Sequence, residues 1–118
     1  MNKVELKPVS EMTLLQRLAF ARFMPELIKQ LEKIELQTQL AYKKLPNGTH
    51  LNTLVIISRI LEIYNSPVND HIACQRILSY LEEAAENLVF TLLFRAIAEE
   101  ILKVFTASLS ELNLLKEE

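Results

Sequence analysis

Residues 88–105 read LVFTLLFRAIAEEILKVF, and the destination of this stretch decides the fold. A run this apolar could cross a bilayer, fill the chain's own core or lie against another chain. Crossing a bilayer takes about twenty consecutive, mostly apolar residues. Here Arg95, Glu99, Glu100 and Lys103 intervene. Thr91, Arg95, Glu99 and Lys103 step by four and fall on one helical stripe, with Glu99 and Lys103 spaced to pair. The rest of the circumference, carrying Phe90, Leu93, Phe94, Ile97, Ile101, Val104 and Phe105, is continuous and dry. A helix with one narrow wet edge is a core or interface helix rather than a membrane span. Those seven residues are therefore the candidate interface, covered by the same chain or by a second one.

Working outward, the 118 residues make one domain whose single core buries roughly two-thirds of the unfolded surface. Gly48 is the only glycine, where average usage of ~7% would give about eight. Sheets spend glycine on turns and bulges, so its scarcity points to long helices and few connections. From Val68 to Glu118 there is neither glycine nor proline. A helix of about forty-five residues would be about 68 Å long, too long for a compact chain whose radius of gyration should be near ~13 Å. Asn87 is the weakest helix former in the middle of that stretch, so the expectation is a bend or break there. Ser108 followed by Glu111 matches a further capping box.

In the first half, residues 1–9 carry no helical period and read as a flexible or extended arm. Ser10 is the candidate cap of a helix running from Met12 to Leu45, kinked at Pro25 because proline removes a hydrogen bond and clashes one turn back. Beyond the proline, Leu27, Leu31, Ile34, Thr38, Ala41 and Leu45 alternate spacings of four and three, the seam of two helices side by side. Pro46-Asn47-Gly48 reads as a turn that accepts positive φ, with Thr49 capping a second helix from Leu51 to Tyr64. That helix is apolar almost all round and belongs at the centre of the core. The expected fold is an all-α antiparallel bundle of four or five helices.

Chemistry is sparse. His71 and Cys74 share a face at a helix start, where a dipole can stabilise a thiolate, but zinc normally takes three or four protein ligands. Glu82, Glu83 and Glu86 form an acidic patch, read as a solvated or docking face, and no Glu-x-x-His motif accompanies it. There is no glycine-rich phosphate loop and no catalytic triad to propose. No metal, cofactor or enzymatic activity is expected. The net charge of −2 is interspersed, so nothing advertises a polyanion, and a recognition helix built on LVIISRILEIY would offer mainly Arg59 to base edges. The start, MNKVELKPVSEM, lacks the apolar run of a secretory signal, so the expected location is cytoplasmic.

The reading that emerges is a non-catalytic interaction protein, an adaptor or regulatory subunit, self-associating as a homodimer through its last helix and open to a heterologous protein partner. A nucleic-acid-associated regulator and a small-molecule sensor with a cavity between helices are the alternatives.

Overall fold

The chain turns back at Asn87. The computed structural model of the protein describes residues 3–116, so the first two residues of the expected arm lie outside it. Four α-helices follow one another, α1 (Leu14–Lys44), α2 (Gly48–Tyr64), α3 (Asp70–Glu86) and α4 (Leu92–Glu111), after a 3-10 turn at Val9–Glu11. Asn87 closes α3 in an extended conformation, and its side-chain oxygen accepts the Val89 N–H at 3.0 Å. Thr91 then caps α4, accepting the Phe94 N–H at 3.2 Å. The three residues between, Leu88, Val89 and Phe90, reverse the chain.

Each connection is short, so successive helices run antiparallel. Buried side chains recur at spacings of three and four: Phe20, Met24, Ile28 and Leu31 on α1, Ile56, Ile57, Ile60 and Ile63 on α2, Cys74, Ile77, Leu78 and Leu81 on α3, and Phe94, Ala98, Phe105 and Leu109 on α4. Helix α2 packs against each of the other three. Its nearly unbroken apolar circumference requires that.

Several boundaries differ from the sequence reading. Ser10 lies in the 3-10 turn, and Thr13 caps α1 through a reciprocal box with Gln16, at 3.1 and 2.9 Å. Gly48 is the first residue of α2 and has no positive φ, because Asn47 rather than Thr49 supplies the cap, accepting the His50 N–H at 2.8 Å. The one left-handed residue described is Asn113, φ 56°, just after α4. Ser108 and Glu111 lie within α4 and cap nothing, since the helix carries through them. Pro25 sits inside α1, and both it and Ala21, whose carbonyl loses its usual donor, are exposed. Water can satisfy that carbonyl.

The N-terminal segment is tied down chiefly through its backbone. Leu6 is buried and bridges to Leu115, with Lys7 N–H donating to the Leu114 carbonyl at 2.9 Å and Lys116 N–H to the Glu5 carbonyl at 2.8 Å. From the other side, Gln75 accepts the Leu6 N–H at 2.9 Å and donates to the Val4 carbonyl at 3.1 Å. Among the described residues no helix is long and apolar enough to cross a membrane.

The cap and the core should separate clearly in urea unfolding. Thr91→Ala is expected to cost about 1 kcal/mol. Ile60→Ala, at the fully buried centre of α2, should cost about 2–5 kcal/mol.

Candidate functional site

The seven residues assigned to the interface do not share one environment. Phe94 and Phe105 are buried in the chain's own core, which makes them unavailable to a second chain in this conformation. Phe90 is half-buried and stacks on Phe94, ring centroids 4.7 Å apart. Ile97 and Ile101 are half-buried against the core, whereas Leu93 and Val104 are 42% and 61% exposed. The dry face of α4 thus has a covered centre and an open edge.

That edge borders a trough. Helix α1 packs along α2 and α2 along α4, but α1 and α4 hardly touch. Between them lies an apolar hollow of about 260 Å³, floored by Thr53 and Ile57 and walled by Leu27, Leu31 and Ile34 on one side and Ile101, Val104 and Phe105 on the other. It shares Leu27 and Gln30 with a second, more polar hollow of about 510 Å³ reaching to Ala19 on α1 and to Leu112 just past the end of α4. The two form one trough. From Ala19 to Ile34 it is about 22 Å long at 1.5 Å per residue, enough for four turns of a helix. The α1 wall was legible in the sequence only as a seam, and the α2 floor not at all.

The stripe of polar residues on α4 resolves into separate roles. Glu99 and Lys103 approach at 3.6 Å, both exposed, with Glu100 at 3.7 Å from the same ammonium. Thr91 is the cap. The Arg95 Nε is buried without a hydrogen-bond partner among the described residues.

Of the other candidate residues, Glu82 and His71 hold the N-terminal segment. Both carboxylate oxygens of Glu82 accept the Val4 N–H at 3.2 Å. Partial burial pushes the Glu82 carboxyl above the usual range, the Val4 N–H pulls it back, and the Glu86 and Glu5 charges raise it again against Lys3. Glu83 and Glu86 are exposed. The His71 Nε2 lies 2.9 Å from the Lys7 carbonyl, which can only accept, so the ring nitrogen donates. The ring meets Phe20 edge-on at 6.3 Å. His71, Gln75 and Glu82 thus read the backbone of residues 4–7, a role that sequence spacing does not signal. Among the described residues no three His, Cys, Asp or Glu side chains converge as a metal site.

Comparison with known protein families, with curated proteins and with solved structures returned no match. The geometry is therefore the basis for any functional reading.

Cys74 is fully buried, and burial pushes its thiol up to about 12, with Asp70 adding to the effect. A reactive cysteine needs the opposite shift and access. Thiol labelling at pH 8 should be negligible in the native protein and should appear with urea unfolding. The raised value also sets a sign. Stability from the protonated thiol is full below its ordinary value of 9.0 and is lost as pH rises towards about 12. Cys74→Ala should flatten that alkaline slope.

Proposed function

We propose that this chain is a non-catalytic helical interaction protein that associates with itself along the open edge of α4, with a cytoplasmic location as part of the same reading. The observation that supports it is the trough: a channel about four helical turns long left where α1 and α4 diverge, apolar between Leu27 and Ile34 and more polar towards Ala19, with Ile34 and Val104 exposed on the rims of its apolar part. Helix-in-groove association uses surfaces of this shape. An adaptor or regulatory subunit works by such a surface and needs no reacting group. A small-molecule pocket is the weaker reading, because both hollows are open to solvent and the larger, of about 510 Å³, is lined as much by polar as by apolar groups, whereas ligand sites are enclosed and mostly apolar. The nucleic-acid reading draws little support from the surface, where carboxylates are interspersed among the cations of α1 and outnumber them on α4.

Light scattering on the size-fractionated protein at micromolar concentration tests this reading. The unaltered chain should run as a dimer, and Val104→Asp should shift it to monomer while leaving the helical content unchanged. A monomeric unaltered chain would remove the proposal. Phe105→Ala is the control for confusion with stability, since it should cost about 3–5 kcal/mol of folding energy.

A further inference from the structure

The trough carries more acid than base. Glu26, Glu100 and Glu111 line it against Arg22 alone. Among the described residues Glu26, Glu111 and Arg22 have no ion-pair partner, and Glu100 reaches only Lys103, on the open surface. Such a channel favours an apolar ridge that brings its own cations, because the ridge fills the floor and the cations meet the rim.

The chain carries a ridge of that kind. Helix α1 opens with LLQRLAFARFMP, Leu14 to Pro25, in which Arg17 and Arg22 are the only charged residues. On it Leu14, Leu15 and Leu18 are 70%, 78% and 54% exposed. Spacings of four and three put Leu18 beside both of the others, so the three form one patch within about a turn. Three leucines so exposed at the start of a capped helix are not needed for folding. Burying each is worth roughly a tenfold gain in association or more.

We infer that two copies dock reciprocally, the Leu14–Leu15–Leu18 ridge of each seated in the α1–α4 trough of the other. This rests on the self-association reading and names its surface. Ridge and trough wall belong to the same helix, so a two-fold axis crossing α1 lets each copy give and receive at once. The assembly then closes at two chains, as an isologous interface must. Arg17 enters with the ridge and approaches the carboxylate rim, and Arg22, at the border of ridge and trough, faces the carboxylates of the other copy. Association should therefore weaken as salt is raised from about 50 mM to about 500 mM.

Sedimentation equilibrium on three proteins tests the inference: the unaltered chain, a ridge variant with Leu15→Asp and Leu18→Asp, and the trough variant Val104→Asp. All three altered positions are exposed, and circular dichroism with urea unfolding verifies the fold of each. Leu15→Ser with Leu18→Ser replaces the ridge variant if aspartate weakens the helix. Each variant alone should dimerise about tenfold or more weakly than the unaltered chain. An equimolar mixture of the two should dimerise more tightly than either alone, because the mixed pair keeps one intact ridge in one intact trough. A monomeric unaltered chain would overturn both readings together. A dimer that ignores the ridge substitutions, or variants that fail to complement each other, would overturn reciprocal docking and leave self-association standing through another surface, such as the exposed Leu88 and Val89 of the α3–α4 turn.

Discussion

The length of α1 governs the rest of the structure. Its 31 residues span about 46 Å at 1.5 Å per residue, matching the 46 Å long axis of the molecule, while α2, α3 and α4 have 17, 17 and 20 residues. A helix that long cannot bury one continuous face against partners so much shorter. Helix α2 returns along its C-terminal half, while its N-terminal half meets α3, with Phe20 against His71. The mismatch shows in a radius of gyration of 14.8 Å, somewhat above the ~13–14 Å expected for the chain length. It also leaves α1 and α4 apart, with Ile57 of α2 as the floor between them.

The N-terminal segment answers the same problem at the other end. Leu6 is buried beside Leu114 in the core, but an extended backbone brought against a helix would leave its N–H and C=O groups without partners. Gln75 supplies one donor and one acceptor, Glu82 accepts from Val4, His71 donates to Lys7, and residues 114 and 116 pair from the far side. The acidic patch that reads as solvated charge is in part a clamp for the chain's own start. Glu83 and Glu86 remain at the surface.

What the sequence made legible was periodicity and weak points. Four-residue stepping placed Glu99 and Lys103 on one wet edge, and the poor helix propensity of Asn87 marked the reversal between α3 and α4. Periodicity ranks faces but does not say what covers them. Phe94, Val104 and Phe105 belong to one apolar arc, yet two are core and one is surface, because coverage depends on how far α1 stands from α4. Caps moved for a related reason. Ser10, Thr49 and Ser108 are as competent chemically as Thr13, Asn47 and Thr91, and tertiary packing selects where each helix begins. The bonds that hold residues 4–7 join positions about 70 apart, beyond the reach of any local pattern.

The central claim is that the trough between α1 and α4 receives the α1 ridge of a second copy. Isotope-filtered NMR on a mixture of labelled and unlabelled chains tests it most directly, since only contacts between copies give a signal. The account predicts intermolecular methyl contacts joining Leu15 and Leu18 to trough residues such as Leu27, Ile34 and Val104. Intermolecular contacts confined to Leu88 and Val89, or none at concentrations where the chain is dimeric by sedimentation, would contradict it.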